Sequence, residues 1–162
     1  MKYTTTALRK ETIIEDYIPL MLRASVTTKD ADYLIYRRGE HSLLEIVFDA
    51  TTRLVYRITL VLCNEYCQAN SDYAFAPNTV YGDVIVPCAD DIQSDALCCE
   101  IYNNAIRIKL STNLPHTSIV NHDLCWELDE NDNLASIVIV NPSEKLKNHA
   151  VKELSYDSAT NA

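Results

Sequence analysis

The side chains best suited to chemistry in this chain of 162 residues are six cysteines and four histidines. Cys63 and Cys67 stand in a Cys-x3-Cys spacing, and His122 with Cys125 gives His-x2-Cys. Zinc takes four such ligands converging tetrahedrally, and nothing in the sequence brings the two pairs together. A thiol nucleophile is the other option, with Cys67 or Cys88 beside His116 or His122. Such a thiol needs a base or a helix N-terminus to lower its pKa. No apolar leader follows Lys2, Arg9 and Lys10, because Glu11, Glu15 and Asp16 intervene. The reading is therefore a chain that stays in the cytoplasm with its thiols, Cys98 and Cys99 included, reduced and largely apolar in role.

Other reaction motifs are missing. Gly39 and Gly82 are too far apart to cradle a phosphate. No Gly-x-Ser-x-Gly elbow and no His-Glu-x-x-His occurs. Asp129-Glu130-Asn131-Asp132-Asn133 opens like a calcium loop, but Leu134 replaces the turn glycine and Val140 the bidentate glutamate. That segment reads as a hairpin turn. The expectation is a non-enzyme with no cofactor and no metal.

Charge is the more informative signal. The net charge is −9, unevenly spread. Residues 1–60 carry nine basic and eight acidic side chains, residues 61–135 two and twelve, and residues 136–162 three of each. Such a tract repels nucleic acid and anionic membranes and attracts a basic surface. The plainer alternative is a solvated acidic face that keeps the chain dispersed. Ten tyrosines stand against two phenylalanines and one tryptophan, and tyrosine suits interfaces as well as half-buried strands. Candidate partner contacts are Asp72, Asp83, Asp90, Asp91, Asp95, Asp123, Glu127, Asp129, Glu130 and Asp132, with Tyr73 and Tyr81 as anchors. Asp90-Asp91 reads as an acidic loop, since adjacent carboxylates are costly to bury without a cation.

These residues need elements to hold them. Leu8, Ile13 and Ile14 among charges predict a short helix over 8–16. Pro19 leaves residues 17–26 open, and Tyr33-Leu34-Ile35-Tyr36 reads as a strand. Leu44, Ile46 and Phe48 alternate with polar positions, and Leu54 to Leu62 alternate again after a polar turn. That is a hairpin pattern. Hairpins also follow from Leu97–Leu110 around Asn103-Asn104, with Arg107 and Lys109 facing outward. Another runs from Leu124 to Val140, with Glu127 and Asp129 facing outward. The first and last hairpins look alike, either by duplication or because both obey one alternation rule. Pro142-Ser143-Glu144 opens a helix to about Leu154, and residues 155–162 read as a frayed tail. The expected fold is one α+β domain over 1–162. Its antiparallel sheet is built from consecutive hairpins, flanked by N- and C-terminal helices.

Ser42-Leu43-Leu44-Glu45-Ile46-Val47-Phe48-Asp49, with Leu54 and Ile58-Thr59-Leu60-Val61, resembles a recurring hairpin of bacterial immunity proteins. Those proteins accompany polymorphic toxins, including contact-dependent growth inhibition systems. The resemblance covers residues 42–61 and carries no catalytic residue across. It implies stoichiometric binding and neutralisation of a cognate toxin domain, a basic nuclease among the candidates. It agrees with the charge reading, because an acidic inhibitor is steered to a basic target. The runner-up is a small-ligand or metal-dependent regulatory domain using Cys and His. An exposed sheet edge that pairs with a partner strand is a further mode.

Overall fold

The computed structural model describes residues 1–160, and most of its regular structure is strand. In chain order the elements begin β1 (Lys2–Thr4), β2 (Lys10–Glu15), β3 (Ile18–Ala24), β4 (Ala31–Arg38), β5 (Ser42–Asp49) and β6 (Val55–Cys63). There follow β7 (Tyr66–Gln68), β8 (Asn78–Tyr81), β9 (Asp83–Ile85), β10 (Asp90–Gln93), β11 (Cys98–Ile101) and β12 (Ala105–Lys109). The chain closes with β13 (Thr117–Asn121), β14 (Leu124–Leu128), β15 (Leu134–Val140) and α1 (Glu144–Thr160).

Two sheets face each other. One runs β10-β4-β5-β6-β3-β2, the other β7-β11-β12-β15-β14-β13-β8, and β1 pairs with β9 alongside them. The period-two residues behave as their spacing predicts. Leu44, Ile46 and Phe48 of β5 and Ile58 and Leu60 of β6 turn inward. They meet Ile106, Ile108, Trp126, Ile137 and Ile139 of the other sheet in one core. The first hairpin pairs Ser42–Phe48 with Cys63–Val55, bulged at two points. The Asn103-Asn104 hairpin forms with Cys98↔Lys109 to Ile101↔Ile106 in register.

With only two glycines available, left-handed backbone falls to other residues. His122, Asp132 and Asn141 take positive φ at turns, as do Tyr17 and Arg53.

The helix expected over 8–16 is a strand instead. Thr12, Ile13 and Ile14 are β-branched, which stiffens χ1 and favours a pleated surface. β2 pairs antiparallel with β3 across a tight turn at Asp16-Tyr17, where Tyr17 has φ 66°. Pro19 is tolerated in β3 because pairing with β6 starts only at Leu20, so no ladder needs its missing N–H.

The sheets are also mixed rather than purely antiparallel. Three parallel pairs occur, β10 with β4, β7 with β11 and β8 with β13. Each adds a short polar strand at a sheet edge, and short polar segments leave no alternation to read. Asp90 and Asp91, expected in a loop, lie in one of these strands.

At the C-terminus Ser143 caps α1, its hydroxyl accepting the Leu146 N–H at 3.1 Å. Glu144 follows in the first turn, where negative charge complements the helix dipole. Leu146, Ala150 and Leu154, spaced four apart, enter the core beside β3 and β6. The helix runs through Thr160 rather than ending near Leu154. Ser155 is part of it, donating to the Val151 carbonyl at 2.6 Å and meeting the Tyr66 hydroxyl at 2.7 Å. Only residues 161–162 of the expected tail lie outside the described residues.

Candidate functional site

Helix α1 contacts β3 and β6, at one side of the six-stranded sheet. At the other side, where β4 and β10 form the edge, a groove of about 430 Å³ opens between the sheets. Leu34, Tyr36, Ile92, Leu110 and Leu134 line it, with Asp90 and Asp95 among its polar walls. Two hollows adjoin it. One of about 350 Å³ holds Asp129 and Glu130 and shares Asn113 with the groove. The other, about 500 Å³, holds Asp132 and Lys2 and shares Met1 with the groove. The two hollows share His116. Five carboxylates thus line the groove and its two adjoining hollows.

Rigid elements fix those carboxylates. Parallel pairing with β4 sets Asp90 opposite Leu34 and Asp91 opposite Ile35. Ser94 anchors the strand exit by donating to the Leu110 carbonyl at 2.8 Å, and Thr112 donates to Asp95 at 3.3 Å. The β14–β15 turn is organised by Asp129, whose Oδ1 accepts the N–H groups of Asn131 and Asn133 at 2.9 Å each. Asn113 Nδ2 donates to its Oδ2 at 2.7 Å. Burial alone would raise the Asp129 pKa, but those hydrogen bonds hold it below the usual carboxylate range. Glu130 and Asp132 are presented outward from this turn. The amino terminus of Met1 donates to the Asp132 carbonyl. Burial first, then the nearby Asp90 and Cys88, push the Tyr36 hydroxyl up to about 12.

The remaining candidates lie elsewhere or are engaged. Asp91 is not a carboxylate awaiting a cation, because Arg37 Nε holds both its oxygens at 2.8 and 3.1 Å. Asp83 is wholly buried: its Oδ2 takes Lys10 Nζ at 2.6 Å and Asn121 Nδ2 at 3.1 Å, its Oδ1 Trp126 Nε1 at 3.1 Å. Burial outweighs the attraction of Asp83 and leaves the Lys10 ammonium below the usual lysine pKa. Glu127 was expected to face outward and is instead fully buried. It takes the Tyr73 hydroxyl at 2.6 Å, Ser136 Oγ at 2.5 Å and the Ala76 N–H at 3.3 Å. The reason is a cover over the outer face of the seven-stranded sheet. Tyr73 packs there on Phe75 and Tyr102, over a small second core of Ala105, Cys125 and Val138. Tyr73 is therefore tied into the fold. Asp129 is also buried, at 2% exposure. Asp72 and Asp123 are exposed away from the groove, Asp123 beside Arg9 and Lys10. Tyr81, at 76% exposure, stands on edge strand β8.

The thiols do not assemble a centre. Cys63 sits in the main core and Cys125 in the outer one, so the pairs they head do not converge. Among the described residues no group of three or more His, Cys, Asp or Glu side chains is placed to hold a metal. Burial drives the Cys125 thiol up to about 12 and raises Cys67, Cys98 and Cys99 as well.

Sequence reasoning missed Tyr36, which reads only as one apolar member of a strand. The alternation of Leu34 and Tyr36 against Tyr33 and Ile35 was the available signal for which face it joins. Among the described residues no helix is long and apolar enough to cross a membrane. No known family pattern matches the chain, and no curated protein is detectably similar to it.

Proposed function

We propose that this chain is an immunity-type inhibitor: it binds a basic toxin domain in the cytoplasm and neutralises it by occlusion, with no catalysis of its own. The observation that carries this reading is the gathering of Asp90, Asp95, Asp129, Glu130 and Asp132 around one groove and its two adjoining hollows. Across those linings only Lys2, the terminal ammonium and His116 offset them. Four of the five carboxylates are exposed; Asp90 lies on edge strand β10, Asp95 just past its end, and the other three at the β14–β15 turn. A preset field of one sign accelerates encounter with a partner of the other sign. The hairpin at residues 42–61 supports the same reading by resemblance.

The test is to co-express the chain with basic toxin domains and to follow growth, complex stoichiometry and association rate. Growth rescue, a one-to-one complex and an association rate that falls steeply with added salt are expected. Asp90→Lys with Asp95→Lys should slow association and flatten that salt dependence. A complex that forms at the same rate at every ionic strength, or no complex, overturns the proposal.

A further inference from the structure

Tyr36 lines the groove at only 6% exposure, yet its hydroxyl makes no hydrogen bond with any described residue. A buried phenol normally finds a partner for its O–H. The charged groups that bear on it are Asp90 and Cys88, and both line the groove. The Tyr36 oxygen is not sealed from solvent, so it opens into the groove, where water or a ligand can satisfy it. Around it the floor is apolar: Leu34, Leu110 and Leu134 are all buried. The polar walls carry two exposed carboxylates, Asp90 and Asp95, and Asp95 has only Thr112 at 3.3 Å beside it.

An apolar trough flanked by two carboxylates and an unpaired phenol oxygen matches a long side chain with an aliphatic stem and a cationic head. Resting on the reading that the partner is basic, we infer that the groove receives an arginine side chain of that partner. The stem lies against Leu34, Leu110 and Leu134. The guanidinium donates to Asp90, Asp95 and the Tyr36 oxygen. Arginine suits this better than lysine, because its planar fork offers five donors in fixed directions to several acceptors at once. Arginine is also enriched among the residues that dominate binding at interfaces.

The test uses the whole chain with labelled methyl groups and a short capped peptide, acetyl-Gly-Arg-Gly-amide, followed by NMR. Neutral citrulline and lysine versions of the peptide serve as comparisons. The arginine peptide should shift the methyls of Leu34, Ile92, Leu110 and Leu134, with weak, saturable binding. The citrulline peptide should shift none, and the lysine peptide should bind more weakly. Tyr36→Phe keeps the ring and should weaken the arginine peptide by roughly three- to tenfold, the scale of one hydrogen bond. Asp72→Asn, remote from the groove, should leave it unchanged. Equal binding of the citrulline or lysine peptide overturns the inference. So do shifts spread over the whole acidic surface, or unchanged affinity in Tyr36→Phe. No toxin is present in this titration, so its failure leaves the inhibitor reading standing. An absent toxin complex would equally leave the peptide affinity measurable.

Discussion

The Lys10 ammonium lies 2.6 Å from Asp83, and neither side chain has any solvent exposure. This buried pair ties β2 to β9, two elements 73 positions apart in the chain. Removing one partner strands the other charge in a place water cannot reach. Asp83→Ala should therefore cost about 3–5 kcal/mol of stability, read as a lower denaturation midpoint. Adding Lys10→Met to that variant should restore part of the loss. If the single variant is as stable as the parent, the pair does not hold this part of the fold together.

Tyr73 and Glu127 make the second internal contact that resembled a binding surface. Tyr73→Phe removes the hydroxyl that reaches Glu127 at 2.6 Å. A hydrogen bond to a buried carboxylate is worth ~1.5–3 kcal/mol, and a loss near ~1.5 kcal/mol is expected because Ser136 remains. Thermal melting checks it. Association with a basic partner should keep its rate in the same variant, since the side chain serves the fold.

Asp49 gives the first hairpin a pH response. Hydrogen bonds, led by the Thr28 hydroxyl at 2.5 Å and joined by Thr52 and Thr51, hold its carboxyl down to about 2. A depressed carboxylate adds stability above its unfolded value of 3.8, and that contribution disappears as pH falls through the folded value. The stability gap between the parent and Asp49→Asn should thus narrow on acidification from about 4 to about 2. Unfolding curves across that range measure it. A gap that stays constant would show that the Asp49 charge does not matter to the turn.

Thiol reactivity should follow exposure. Cys67 and Cys88 are exposed, whereas Cys63, Cys99 and Cys125 are buried. In the native protein a neutral alkylating reagent should label Cys67 and Cys88 first, and the buried three only in denaturant. Mass spectrometry of timed samples distinguishes them. A single thiol reacting far ahead of the other exposed one would point back to nucleophilic chemistry.

Strands with a clean alternation were readable from sequence, and those without one were not. Leu44, Ile46 and Phe48 announce their own face, and so do Ile106 and Ile108. Asn78–Tyr81 and Asp90–Gln93 carry no such rhythm, because an edge strand buries little on either side. Charge counting marked the acidic stretch of the chain, but it treated Asp83 and Glu127 as surface groups. Nothing local to those residues tells of Lys10, Trp126 or Tyr73, which arrive from 73, 43 and 54 positions away. The helix expected at 8–16 failed in part for the same reason. Its charges suited a helix surface, whereas β-branched Thr12, Ile13 and Ile14 and the pairing with β3 decide for a strand.

Residues 66–93 supply four strands, none of which pairs with another of the four. β7 goes to β11, β8 to β13, β9 to β1 and β10 to β4. This stretch closes both rims of one sheet and one rim of the other. It has no local template, so it can order only once the strands it leans on exist, and its amides should exchange with solvent sooner than those of β5 or β14. Asp90, on the rim that β10 adds to β4, would then take its place only after β4 has paired with β5.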